Sequence, residues 1–143
     1  MEFNCRFGDP ETQVILPLLG SDLTEILIDA IEGNLIYRYP IGWYPKFCGT
    51  VALTSPGYPG SYPKGLPISG LEDVPEDVIV FHAGTAKKDG QIVTNGGRVL
   101  NVTAMGDTLE EAVNRAYAGV EKIHFEGMHY RKDIGRAGVK HGQ

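Results

Sequence analysis

Three polar side chains near the start of the sequence could bind a metal ion and a phosphoryl group. Glu2, Asn4 and Arg6 lie in a segment, residues 1–7, whose apolar and polar residues alternate. This period predicts a half-buried strand on which all three side chains leave the same face. Carboxylate and amide oxygens suit magnesium, and a guanidinium can hold a phosphoryl oxygen or a carboxylate through two hydrogen bonds. The same spacing also fits a solvent-facing strand edge without a ligand, and spacing alone favours that simpler interpretation.

The residues that follow predict a helix N-terminus close to this polar row. Asp9 is a residue type that is common at the N-cap, and Pro10 is one that is common at the first helical position. Glu11 would then be an acid in the first turn. We expect this helix to run to about Leu16, where Pro17 interrupts it. Its free backbone amides would add groups suited to an anion.

Short elements separated by glycine and proline follow. A second helix is predicted from Ser21 to Gly33, then a packed aromatic loop over residues 34–46. Turn signals at Asp89-Gly90 and at residues 95–97 separate the strands of an antiparallel meander. A last helix begins at Asp107 or Thr108, carries one apolar face and ends near residues 122–124. The predicted strands are Phe47–Thr54, Pro67–Ser69, Val78–Ala83, Gln91–Thr94 and Arg98–Ala104.

Composition and charge narrow the class of protein. The chain has 143 residues, 42% of them hydrophobic and 22% charged, as in an ordinary globular domain. A net charge of −5 argues against a general nucleic-acid binder. The one basic cluster, residues 130–136, is most simply a solvated tail. The sequence has no apolar run of about 18 residues and no secretory signal at its start, so we expect no membrane association and a cytoplasmic location.

Five blocks of the sequence, in one order, resemble phosphoribosylamine–glycine ligases. Residues 2–13 are similar to the segment that closes the ATP-grasp active site of that family, and other ATP-grasp ligases share its Glu-x-Asn-x-Arg pattern. The other four blocks resemble segments of the family's C-domain. They are Gly57-Tyr58-Pro59-Gly60 with Lys64-Gly65, Phe81-His82-Ala83-Gly84-Thr85, residues 95–100 and residues 130–135.

The resemblance implies an ATP-dependent ligase of purine biosynthesis that joins glycine to 5-phosphoribosylamine through a glycyl phosphate. It implies Mg2+ or Mn2+ bound by Glu2 and Asn4, ATP as co-substrate, and Arg6 as the catalytic residue at the transferred phosphoryl group. The implied substrate-binding residues are Asp9, Glu11, Tyr58, His82, Gly97 and Arg98. Simpler alternatives stay open: helix capping for Asp9, a satisfied strand histidine for His82, and a tight turn for Gly97.

The resemblance also predicts how the chain is organised. We expect an α+β fold with the end of an ATP-grasp domain in residues 1–45, a C-domain with a small antiparallel sheet and one long helix in residues 46–136, and a frayed tail in residues 137–143. The family's N-terminal domain and adenine site would precede Met1, so this piece alone is expected to be inactive. The alternative is a non-catalytic module that binds a partner, such as that N-terminal part of the ligase.

Overall fold

The computed structural model describes residues 5–38 and 40–136 and has the expected α+β fold, with small antiparallel sheets and one long helix. The helices are α1 (Thr12–Ile15), α2 (Leu23–Glu32) and α3 (Leu109–Val120), with 3-10 helices at Leu16–Leu18, Leu35–Arg38 and Leu71–Asp73. The strands are β1 (Phe47–Thr54), β2 (Val78–His82), β3 (Thr85–Lys88), β4 (Gln91–Thr94) and β5 (Arg98–Gly106).

The main sheet is not the predicted meander. Its order is β1-β5-β2, antiparallel throughout, and β3 and β4 pair in a separate hairpin. β5 takes the centre because it is the longest strand and is buried along most of its length, so it gains most from a neighbour on each side. The unpredicted strand β3 has little apolar alternation. The predicted strand at Pro67–Ser69 forms only two isolated bridges, to Val93 and His124.

The last helix begins and ends for local reasons. The Thr108 hydroxyl accepts the amide of Glu111 at 3.1 Å, and the Glu111 carboxylate accepts the amide of Asp107 at 2.7 Å. This exchange satisfies free donors at the N-terminus of α3. The apolar face of the helix is buried against the sheet, including Ala112, Val113, Ala116, Gly119 and Val120.

The core lies between α3 and one face of the main sheet. A side chain added at Gly119 would meet Val78 and Val102, and one added at Gly49 would meet Val113. Glycine at these two positions therefore lets the helix approach the strands closely. Leu53, Leu100, Ile123 and Phe125 are among the largest buried side chains.

The N-terminal residues depart from the predicted strand and helix. Residues 5–7 form no strand, and Phe7 is 53% exposed. A strand needs a neighbour to accept its hydrogen bonds, and no described strand lies beside this segment. The prediction that Asp9 is the N-cap and Pro10 the first helical residue is also wrong. Helix α1 starts at Thr12, after Glu11, which makes no side-chain capping bond. The chain passes Pro17 as a 3-10 helix.

The second helix is present, but the aromatic segment after it is not packed as predicted. Asp22 accepts the amides of Thr24 and Glu25 and so caps α2, and Gly33 ends it with a φ of 76°. No residue of α2 is buried. In the segment that follows, Tyr37 is 84% exposed and Trp43 54% exposed, because little of the described chain lies against them.

No helix in residues 5–38 and 40–136 is long and apolar enough to cross a membrane. Cys5 and Cys48 are free thiols, the first exposed and the second partly buried. Burial raises the pKa of the Cys48 thiol to about 11.

Candidate functional site

A cleft of about 200 Å³ opens where the ends of β1 and β5 meet the segment that follows α3. Its walls are largely apolar and aromatic, and two arginines and a histidine are among the residues that line it. A concave, largely apolar site with a few polar side chains suits a small ligand. The cleft is lined by Ala52, Thr54, Tyr58, Arg98, His129, Tyr130, Arg131 and Ile134.

A one-residue shift in strand register aims Arg98 at this cleft. Leu53 pairs with Leu100, but Thr54 pairs with Arg98, so β5 has one extra residue, Val99, at this point. Without the shift, Thr54 would pair with Val99 and Arg98 would point to the face that packs on α3. Val99 is fully buried instead, and Arg98 lines the cleft.

The guanidinium of Arg98 is held by Asp9. It forms an ion pair with the Asp9 carboxylate at 3.1 Å and donates to the Asp9 backbone carbonyl at 2.8 Å. The other carboxylate oxygen accepts the side-chain amide of Gln13 at 2.9 Å. Asp9 and Arg98 are each 39% exposed in their side chains, so the pair is partly screened by solvent. Two residues of the predicted site, from distant blocks of the sequence, are therefore in direct contact.

Tyr58 and Gly97, both predicted, also lie together. A Cβ on Gly97 would overlap the Tyr58 ring, and its distance to Tyr62 Cε1 would be 3.1 Å. Ser55 fixes the two loops relative to each other, because its amide donates to Gly97 and its hydroxyl to Gly96, both at 2.8 Å. Gly97 is thus required for close approach of an aromatic side chain, beyond the needs of the turn.

The remaining predicted residues do not line the cleft. The His82 ring shares a hydrogen bond of 3.0 Å with the Thr85 hydroxyl, which agrees with the simpler alternative of a satisfied strand histidine. Arg6 is exposed and donates to the carbonyl of Phe7 at 2.8 Å. The Glu11 carboxylate lies over Gly8. None of these contacts identifies a ligand.

The segment after α3 contributes four lining residues that were not predicted individually. His129 pairs with Thr54 through two backbone hydrogen bonds, of 2.8 and 3.1 Å. The Tyr117 hydroxyl donates to the carbonyl of Arg131 at 2.7 Å and accepts the amide of Ile134 at 3.1 Å. The segment is thus attached both to β1 and to α3, unlike a solvated tail. Only the fourth C-domain block, residues 130–135, indicated its importance.

Arg131 is itself paired within this segment. Its guanidinium donates to both oxygens of Asp133, at 2.9 and 2.7 Å. These hydrogen bonds lower the pKa of Asp133 and raise that of Arg131. A second cavity, of about 460 Å³, borders the same segment and is lined by Met128, His129, Tyr130, Arg131 and Lys132.

The predicted metal ligands Glu2 and Asn4 lie outside the described residues. Within the part of the chain that the structure describes, no group of three or more His, Cys, Asp or Glu side chains could hold a metal ion. Asp9 and Asp133, which contact cleft-lining residues, are already paired with Arg98 and Arg131. The described residues alone therefore do not provide a metal site.

Comparison with known proteins confirms the resemblance. A family model described as "Phosphoribosylglycinamide synthetase, C domain" matches residues 48–137. A phosphoribosylamine–glycine ligase of Synechocystis is 52% identical over 136 residues, which are 94% of this chain and 32% of the relative. A trifunctional purine biosynthetic protein of Gallus gallus is 56% identical over 94% of this chain and 14% of its own length.

A solved structure gives the same result. The crystal structure of a phosphoribosylamine–glycine ligase from Thermotoga maritima matches with a TM-score of 0.74 and 41% identity, over 93% of this chain and 32% of that one. The chain thus spans about a third of the length of the single-function relatives that it matches. With more than half of its residues in the matched domain, the chain belongs to the phosphoribosylglycinamide synthetase C-domain family.

Proposed function

We propose that this chain supplies the C-terminal part of an ATP-dependent ligase that joins glycine to 5-phosphoribosylamine in purine biosynthesis. The observation that carries the proposal is the match of 94% of the chain, at 52% identity, to a relative named phosphoribosylamine–glycine ligase. ATP and glycine would form a glycyl phosphate, which the amine of phosphoribosylamine attacks. Residues 1–45 would then be the end of the ATP-grasp domain, and the cytoplasmic location stays a prediction.

The contact between Asp9 and Arg98 supports a role for both parts of the chain in one active site. Asp9 belongs to the block that resembles the ATP-grasp segment, and Arg98 lines the cleft of the C-domain. The ion pair joins the two blocks directly. We propose that Arg98 and Tyr58 contact substrate in this cleft, and that Asp9 orients Arg98 rather than binding the amine.

The metal and the phosphoryl group would be handled by the first residues of the chain. We propose that Glu2 and Asn4 bind Mg2+ or Mn2+, which would neutralise phosphate charge during transfer. Arg6, which is exposed and bonded only to a neighbouring carbonyl among the described residues, would then stabilise the transferred group. His82 and Glu11 stay predicted substrate contacts without a described role.

The test is ADP release that depends on glycine and phosphoribosylamine. The chain would be assayed alone and with the N-terminal portion of the Synechocystis relative, with Glu2→Ala as the site variant and Glu126→Ala, at an exposed carboxylate, as the control. Activity in the mixture that Glu2→Ala abolishes and Glu126→Ala preserves supports the proposal. Activity of the chain alone would contradict the expectation that the nucleotide site lies elsewhere.

A second candidate function is that of a non-catalytic assembly module. The observation that favours it is the exposure of apolar side chains on and after α2, with Ile31 at 87% and Ile36 at 79%. An apolar surface of this kind marks an association site. A stable complex between the chain and the N-terminal portion, without any ADP release, would support this function over the first.

A further inference from the structure

The centre of the main sheet contains a polar side chain whose hydrogen-bonding groups are unused. Asn101 on β5 is fully buried, and both its amide nitrogen and its carbonyl oxygen lack a partner among the described residues. A buried polar group without a partner destabilises a protein, because its hydrogen bonds to water are lost and not replaced. Its neighbour on the same strand, Thr103, is equally buried but shares a hydrogen bond of 2.7 Å with Thr50.

Asn101 lies on the face of the sheet that carries Arg98. Asn101 pairs with Ala52 and Arg98 with Thr54, and both of these β1 residues line the cleft. Because Ala52 and Thr54 are two positions apart, their side chains share one face, and so do those of their partners. The register shift makes Arg98 and Asn101 next neighbours on that face, about 7 Å apart along the strand.

Gln13, which donates a hydrogen bond to Asp9, also has a polar group without a partner in the described part of the chain. The side-chain oxygen of Gln13 is buried and also lacks a partner among the described residues, while its nitrogen donates to Asp9. Gln13 is on α1, which lies against β1 and β5. Gln13 therefore needs a donor, and the Asn101 amide offers one, on the same strand as the arginine that Asp9 binds.

We propose that Asn101 is a positioning residue for the cleft. Its amide donates to the side-chain oxygen of Gln13 through one internal water, and this link fixes Gln13, then Asp9, and finally the guanidinium of Arg98. The sheet retains a polar group in its core because that group orients Arg98 at the cleft. The proposal holds whether or not the chain forms part of a ligase.

The test uses NMR of the full 15N-labelled chain. We expect a nuclear Overhauser contact between the side-chain amide of Asn101 and Gln13. In Asn101→Leu, the Nη–H protons of Arg98, which bind Asp9, should exchange with solvent about fivefold faster, the factor that corresponds to one lost net hydrogen bond. Thr103→Val is the matched control, since it removes an equally buried polar group from the same face and should leave Arg98 exchange unchanged.

A second variant covers the case in which the core substitution does not fold. Gln13→Leu changes a partly buried residue of a short helix and should raise Arg98 exchange to the same extent. The double variant of Asn101 and Gln13 should show no further increase. An unchanged Arg98 exchange rate in Gln13→Leu, or equal effects of Asn101→Leu and Thr103→Val, would overturn the proposal.

Discussion

Replacement of Gly97 by alanine should displace the aromatic side chain at the cleft. The added Cβ would overlap Tyr58 and lie 2.6 Å from its Cε2 atom. The φ angle of Gly97 is outside the left-handed region, so alanine fits the backbone and the conflict is purely steric. Since Tyr58 is 41% exposed, its ring can swing outward into solvent.

The expected loss of stability follows from the contacts that the Tyr58 ring would lose. The ring would leave Tyr62, now at a centroid distance of 6.3 Å, a contact worth about 0.5 to 1.5 kcal/mol. Overpacking at comparable sites costs about 1 to 3 kcal/mol, partly offset by about 0.4 to 1 kcal/mol because alanine restricts the unfolded chain. We expect a net loss of about 1 to 2 kcal/mol in the free energy of unfolding, or a Tm lower by roughly 5 °C.

Thermal unfolding followed by circular dichroism would measure this effect. Gly20→Ala is the matched control, because an added Cβ there meets nothing closer than 3.4 Å and the backbone is also outside the left-handed region; its Tm should stay within about 2 °C of the parent. Gly97→Ala should lower the Tm far less in a protein that already carries Tyr58→Ala, because that substitution removes the ring. Equal losses with and without Tyr58→Ala would refute the steric explanation.

Three further predictions rest on local contacts. Burial raises the pKa of Cys48 to about 11, so its thiolate fraction at pH 8 should be about a hundredfold below that of an ordinary thiol. A disulfide reagent at pH 8 should therefore modify exposed Cys5 first. Equal rates of modification at Cys5 and Cys48 would contradict this. Thr108→Ala should lower the free energy of unfolding by about 1 kcal/mol in urea titrations, since it removes the N-cap of α3, whereas Thr108→Ser should not. The hydrogen bond from Lys46 lowers the pKa of Asp107, so the pair stabilises the fold above the usual carboxyl pKa and loses this contribution as pH falls through the lowered value; an NMR titration should show the pKa of Asp107 rising in Lys46→Met.

Elements with strong local signals could be predicted from the sequence. The N-cap at Thr108 and the apolar face behind it define α3, and both depend only on residues within one or two turns. The limits of β1 and β4 were predicted correctly because alternation and turn residues lie next to them. The order of the strands depends on which strand gains most from burial on both sides, and local patterns do not contain that information.

The candidate site was only partly predictable for the same reason. Asp9 precedes a short helix and has the local character of an N-cap, yet its carboxylate binds Arg98, 89 positions away in the sequence. The extra residue Val99 interrupts the alternation of β5, because it stands beside apolar Leu100. Adjacent apolar residues also occur in regular buried strands, so this doublet alone does not predict a shift in register. His129 and Arg131 follow the last predicted helix and resemble a tail until their attachment to Thr54 and Tyr117 is known.

The place of β5 at the centre of the sheet constrains how the chain can acquire its structure during synthesis. Neither β1 nor β2 has a strand to pair with in the main sheet until residues 98–106 have been made. The pairing of β2 with β5 closes the shorter stretch of chain and therefore costs less entropy than the pairing of β1. Until β5 has been made, β1 remains an unpaired strand that can associate with other nascent chains. A chain whose synthesis ended before β5 would therefore be prone to aggregation and would not form a smaller folded domain.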